Sequence, residues 1–184
     1  MSVEYEEDYF NKTGYELGYQ DYPAHIGRVL RMMIMANPKS VLDVGCAYGY
    51  IVQKLRALGV YAVGCDVSRY AGLRSREVIP GCFIRADLRR GLPFKNNSFD
   101  LLYCEGVLEH IEEEYIDYIM AEFERVAFER ILQVGLEEHP NSSESEGHVC
   151  LHEHGWWYEK MPMQTWLALQ PVATEANEAW LYKG

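Results

Sequence analysis

The stretch Ser40-Val41-Leu42-Asp43-Val44-Gly45-Cys46-Ala47-Tyr48-Gly49 runs from a short apolar segment straight into a glycine-bearing turn. Ser40 to Val44 has the composition of a buried strand. Ile51, Val52, Leu55 and Leu58 then repeat at helical spacing, and Gly59 follows as a helix stop. A strand passing through such a turn into a helix presents backbone N–H groups to a ligand. Open parallel sheets hold nucleotide-type molecules at that point. A pyrophosphate cradle asks for Gly-x-Gly-x-x-Gly. This chain has Gly45, Ala47 and Tyr50 at those three positions, so only the first is met.

The same alternation extends in both directions. Pro23 to Met35 carries Ile26, Val29, Leu30, Met33 and Ile34 at helical spacing, and Asn37-Pro38 ends it. Tyr61 to Cys65 reads as a second strand, with Ser68 capping a helix toward Arg76. Cys82 to Arg85 and Phe99 to Cys104 read as strands three and four. Ile111, Tyr115, Ile119, Phe123 and Val126 mark a long amphipathic helix that His110 begins. Ile131 to Leu136 reads as strand five, and Gly155 to Gln164 as a short helix. Trp166 to Glu175 and Ala179 to Tyr182 read as a closing antiparallel pair. The expected fold is α/β: a doubly wound, mostly parallel seven-stranded sheet with an antiparallel C-terminal strand and helices on both faces.

A length of 184 residues suits one domain, 1–184. Within it, residues 1–22, acidic and rich in tyrosine, read as a lid or wrap, and 137–157 as a mobile loop shaping a substrate site. With a hydrophobic fraction of 48% the chain can build an ordinary core. The formal net charge of -11 argues against nucleic acid as a partner, since such binders carry a basic excess. No apolar run reaches the roughly 20 residues that span a bilayer. The start does not resemble a signal peptide, and the five cysteines show no framework spacing. The expectation is therefore a cytoplasmic protein with reduced thiols and no membrane partner. Nothing in the sequence sets the oligomeric state.

Further motifs stand in register with the first turn. Gly64-Cys65-Asp66-Val67-Ser68 places an acid about 20 residues beyond the glycine turn, where a ribose-binding carboxylate belongs. Arg85-Ala86-Asp87-Leu88, Gly91-Leu92-Pro93-Phe94, Ser98-Phe99-Asp100-Leu101-Leu102 and Leu108-Glu109-His110-Ile111 follow in order. From about Met35 to Gly135 the chain resembles the class I, Rossmann-like S-adenosylmethionine-dependent methyltransferases of the type 11 group. It departs at Ala47, where that family usually has glycine. The resemblance implies S-adenosylmethionine as cofactor. It places Gly45, Cys46, Ala47 and Gly49 along the methionine moiety, with Asp43 fixing its amino group. Asp66 would hold the ribose and Val67 would pack on the adenine. Asp87 would accept from the adenine amine, Ala86 and Leu88 would supply backbone contacts, and Glu105 and Gly106 would face the methionine and the transferred methyl.

Methyl transfer needs an aligned acceptor and, for a hydroxyl or protonated amine, a base. Glu109, His110, His148, His152 and His154 are the candidates, with Glu109, His110 and His152 foremost, and a small molecule or saccharide is the expected acceptor. The run His148-Val149-Cys150-Leu151-His152-Glu153-His154 alternates possible ligands, but no second ligand pair accompanies it, so no metal is expected. An acceptor-site wall fits it better, with Trp156 and Trp157 able to stack on a ring or to pack on the sheet. Cys46, Cys65 and Cys104 read as small buried fillers. The alternative function is a cofactor-binding subunit without transfer activity, its acceptor pocket blocked by the Tyr-rich N-terminus.

Overall fold

The computed structural model describes residues 5–13, 18–136, 147–160, 166–169 and 178–183. The chain divides into two compact units, Met1–Pro93 and Phe94–Gly184.

In the first unit, β1 (Ser40–Val44), β2 (Tyr61–Asp66) and β3 (Phe83–Arg85) form a parallel array in the order β3-β2-β1. The register pairs Val44 with Cys65, and Asp66 with Arg85. Residues 41–44 and 62–65 are all buried, as strands covered on both faces require. Helices α1 (Ala24–Met35), α2 (Tyr50–Ala57) and α3 (Arg69–Val78) belong to the same unit. Ile51, Val52 and Leu55 are buried on α2, but Leu58 is 57% exposed. It lies beyond the last helical residue, next to Gly59 at φ 83°, and turns off the expected stripe. On α1 the buried line is His25, Val29 and Met32, whereas Ile26, Leu30 and Ile34 face outward. Ser68 caps α3 as expected, its hydroxyl accepting from Ala71 N at 2.9 Å.

The second unit pairs β4 (Phe99–Glu105) with β5 (Ala127–Gly135) in parallel. β7 (Glu178–Lys183) lies antiparallel on β5, and β6 (Trp166–Leu169) antiparallel on β7. Among the described residues, parallel pairing accounts for five strands, three in the first unit and two in the second. β5 begins four residues before the expected strand. Glu129 and Arg130 disguise its start, and Arg130 is nevertheless buried, its guanidinium donating to Ala127 O at 3.0 Å.

The long helix also needs correcting. Helix α4 (Ile116–Val126) begins six residues after His110, which instead closes a 3-10 turn, Leu108–His110. Ile111 is extended, at φ -114° and ψ 136°, and breaks the two apart. Helix α5 is described over His154–Lys160, and residues 161–164 of the expected Gly155–Gln164 fall outside those described. Residues 137–146 of the expected 137–157 loop also fall outside them. Among the described residues, no helix is long and apolar enough to cross a membrane.

His25 makes the first unit sensitive to pH. It is buried on α1, and burial pushes its pKa below the ordinary value despite Asp21 Oδ1 at 3.1 Å. In acid the unfolded chain therefore binds a proton that the folded chain resists. The stability from neutral His25 is whole above about pH 6.5 and is lost as pH falls through the lower folded value. His25→Asn should lose less thermal stability between pH 7 and pH 5 than the unaltered chain; equal losses by calorimetry would contradict this account.

Candidate functional site

The turn after β1 is held in a left-handed conformation at three alternate residues: Gly45 at φ 75°, Ala47 at φ 48° and Gly49 at φ 90°. Glycine takes this region freely, whereas an alanine there costs roughly 1–2 kcal/mol. The turn is tied to β2 by its backbone. Gly45 N and Cys46 N both donate to Cys65 O, at 2.8 and 3.1 Å, and Gly49 N donates to Cys46 O at 2.8 Å.

Asp66 completes the tie. Its Oδ2 accepts from Ala47 N at 3.0 Å and its Oδ1 from Ser68 N at 2.8 Å. Burial raises the Asp66 pKa, with the backbone donors pulling the other way. Asp43, 3% exposed, is the penultimate residue of β1, with Val44 between it and the turn. Cys46 and Cys65 are buried thiols whose pKa values burial pushes far up, with nearby carboxylates adding to it. They are packing residues, as expected.

Two glycines are fixed by contact as well as by dihedral angle. A Cβ on Gly64 would lie 2.5 Å from Cys46 Sγ, so β2 must be bare where the loop thiol packs. A Cβ on Gly49 would clash with Ile79 Cδ1 and lie 2.7 Å from Cγ1.

The other expected cofactor residues of this unit gather at the ends of β2 and β3. Val67 O accepts from Arg85 Nε at 2.9 Å, and Ala86 N donates to Asp66 O at 3.0 Å. Asp87 caps the 3-10 turn Leu88–Arg90, taking Arg89 N at 3.1 Å and Arg89 Nε at 2.9 Å. The Arg89 guanidinium holds the Asp87 pKa down, and Leu88 is buried.

The N-terminal rings join this region. Phe10, 3% exposed, lies 5.2 Å from the Tyr48 ring and 6.0 Å from Tyr70, and Tyr19 lies 5.0 Å from Tyr48 edge-on. Tyr48 belongs to the turn itself, so the 1–22 segment reaches the loop through Phe10 and Tyr19. Residues 1–4 and 14–17 fall outside those described.

In the second unit, Glu105 ends β4 and its Oε2 accepts from Tyr103 Oη at 2.6 Å. The next residue, Gly106, has φ 63° and donates to Gln133 Oε1 at 2.8 Å. Neither Tyr103 nor Gln133 was among the expected residues. Two signals mark them: Tyr103 shares a strand face with Glu105, and Gln133 is a lone amide within an apolar run.

Glu109 is buried and works as a brace. Its Oε1 accepts from Gly135 N at 3.1 Å, and its carbonyl accepts from Val149 N and Cys150 N. Next to it, burial and the neighbouring His148 push His110 down to about 4. His152 sits apart from these, stacked on Trp156 at 3.7 Å and 12°, with Glu113 Oε2 at 3.2 Å from its Nε2. The run from His148 to His152 does not converge as a ligand set. Cys150 is buried with its thiol pushed up to about 12, and Trp157 is fully buried in ordinary packing.

Residues 42–129 match the family described as Methyltransferase domain. In that segment the chain is similar to methyltransferase domains. A curated relative, the 18S rRNA (guanine-N(7))-methyltransferase bud23 of Schizosaccharomyces pombe, is 33% identical over 76 residues, 40% of this chain and 28% of that protein. The curated relatives are matched over only about a third of their length, 37% and 28%. Among solved structures, magnesium protoporphyrin IX methyltransferase from Synechocystis PCC 6803, with bound SAH, has a TM-score of 0.67 at 18% identity. That likeness covers 96% of this chain and 97% of the other. A methyltransferase in complex with the Haloferax volcanii Trm112 methyltransferase activator has a TM-score of 0.67 at 17% identity, covering 86% and 87%. At these identities the two structures establish the fold alone. These proteins overturn the expectation, drawn from charge, that nucleic acid is not a partner. One is named for rRNA and one is in complex with a protein activator, so the acidic composition of this chain leaves both partner classes open.

The turn geometry yields a paired prediction. Gly49→Ala meets both a left-handed φ and the Ile79 side chain, and should lower stability by about 2–4 kcal/mol. Ala47→Gly relieves the strained φ and should hold or raise stability by up to about 1 kcal/mol. Chemical denaturation of both variants checks the pair; a destabilised Ala47→Gly would mean that the turn carries no strain.

Proposed function

We propose that this chain is a methyltransferase that takes its methyl group from S-adenosylmethionine, held by the turn Gly45–Gly49 and by Asp66. The observation that carries this reading is the locked turn: three left-handed residues tied to β2 by a half-buried carboxylate. Each Asp66 oxygen takes one backbone N–H, and a carboxylate has about four lone-pair sites, so acceptor capacity remains for the two ribose hydroxyls. Asp43 is the matching acid for the amino group, and Asp87 for the adenine amine, where it shares its charge with Arg89.

The sulfonium of the bound cofactor supplies an already activated methyl group. The protein's own share is to hold the donor, orient an acceptor and keep water out. Phe10 and Tyr19, packed on Tyr48, give the N-terminal segment the role of a lid on the turn. His152, oriented by Glu113 within the Trp156 stack, is the base that takes the acceptor proton. Glu109 is too engaged in backbone bonding for that task. The acceptor is a ring-bearing molecule, with phenols and saccharides as one experimental arm and RNA as the other. The same Phe10–Tyr48 packing favours a second reading, a cofactor-binding subunit whose N-terminal segment stays shut.

Calorimetry with S-adenosylhomocysteine should show binding by the unaltered chain and a loss of at least about tenfold in Asp66→Ala. With labelled cofactor, His152→Ala should lower transfer by about 10²-fold or more while keeping that affinity. Absence of S-adenosylhomocysteine binding rejects the proposal. Binding without label transfer in either arm selects the second reading.

A further inference from the structure

Three hydrogen bonds fasten the segment Gly147–Cys150 to the turn that carries Glu109 and His110. Val149 N and Cys150 N donate to the Glu109 carbonyl at 2.9 and 3.0 Å, and His110 Nδ1 lies 3.2 Å from Gly147 O. This fastening carries His148, 38 positions along the chain from His110, to the side of that ring, with centroids 4.6 Å apart and planes at 55°. With the Glu109 carboxylate, the two imidazoles offer one donor atom each, all within 4.8 Å of one another. We propose that Glu109, His110 and His148 form a binding site for a divalent metal ion of the zinc type.

The donor set selects the ion. Two imidazoles and one carboxylate suit Zn2+ and its first-row neighbours, whereas Mg2+ and Ca2+ ask for oxygen ligands throughout. The surroundings have the form such sites require, with each ligand held by a second group. His110 Nδ1–H donates to the Gly147 carbonyl, which leaves Nε2 with the electron pair. Glu109 Oε1 is held by Gly135 N, and a Cβ at Gly135 would lie 3.2 Å from that oxygen and crowd it.

A tetrahedral ion with bonds of about 2.0–2.1 Å sets its ligand atoms roughly 3.3 Å apart. The three donors therefore draw in on binding. His148 is the one that moves, being half-buried and outside any helix or strand. Three protein ligands leave a fourth position open, the pattern of a reactive rather than a purely structural site. An acceptor oxygen bound there would lose its proton more readily. That last role rests on the methyl-transfer reading; the metal site itself does not.

The test uses the full chain stripped of metal and titrated with Co2+, whose visible absorption reports nitrogen and oxygen ligation, followed by displacement with Zn2+. One equivalent should bind, and His148→Ala and His110→Gln should each weaken binding by at least about tenfold. His148→Asn is the substitute if the alanine variant does not fold, judged by circular dichroism. His152→Ala should bind as the unaltered chain does. Absence of a saturable Co2+ spectrum, or unchanged affinity in both the His110 and His148 variants, overturns the proposal. S-adenosylhomocysteine calorimetry on the same preparations keeps its failure distinct from failure of the cofactor reading.

Discussion

The first unit depends on one half-buried carboxylate. Asp66 stands at the end of β2 and reaches back to Ala47 N, nineteen positions earlier, while also receiving Ser68 N two positions later. Burying a carboxylate is costly, and the raised pKa of Asp66 records that cost. What it secures is a turn whose backbone would otherwise not stay left-handed at an alanine. The surrounding features follow from keeping that turn in place: Gly64 is bare so that Cys46 can pack, and Gly49 is bare so that Ile79 can. The residue expected to hold a ribose is thus first a structural brace, and the two tasks use different lone pairs of the same group.

The second unit has a comparable centre in Glu109, with the roles of side chain and backbone divided. The carboxylate reaches Gly135 on β5, and the carbonyl gathers Val149 and Cys150. One residue therefore connects the 3-10 turn after β4, the end of β5 and the chain that leads into α5. This explains why a Leu-Glu-His segment tolerates no simple reading as the start of a helix. The backbone must stay short and irregular for the carbonyl to be accessible to two outside donors.

Legibility in the sequence followed the range of the interactions. The strands and the order of the motifs were readable because burial on both faces produces continuous apolar runs, as in Leu101–Cys104. The glycine turn was readable because left-handed residues restrict composition. Leu58 and the start of α4 misled because local periodicity continues past the point where the backbone has turned away. The start of β5 was hidden because a buried Arg130 satisfied by Ala127 O looks, as a letter, like a surface residue. The apposition of His110 and His148 had no signal in the sequence at all, since it arises from backbone bonds between segments far apart in the chain.

The cysteines offer a different use of the same packing. Cys46 and Cys65 lie in the first unit and Cys104 and Cys150 in the second, all buried, while Cys82 is partly exposed. Because the attacking species in alkylation is the thiolate, burial shields these four by access, and Cys46, Cys65 and Cys150 by their raised pKa as well. The native chain then presents Cys82 alone to a thiol reagent, and every further modification marks an opening event in an identifiable unit. The fold carries, in its ordinary core fillers, an internal clock for the breathing of each half.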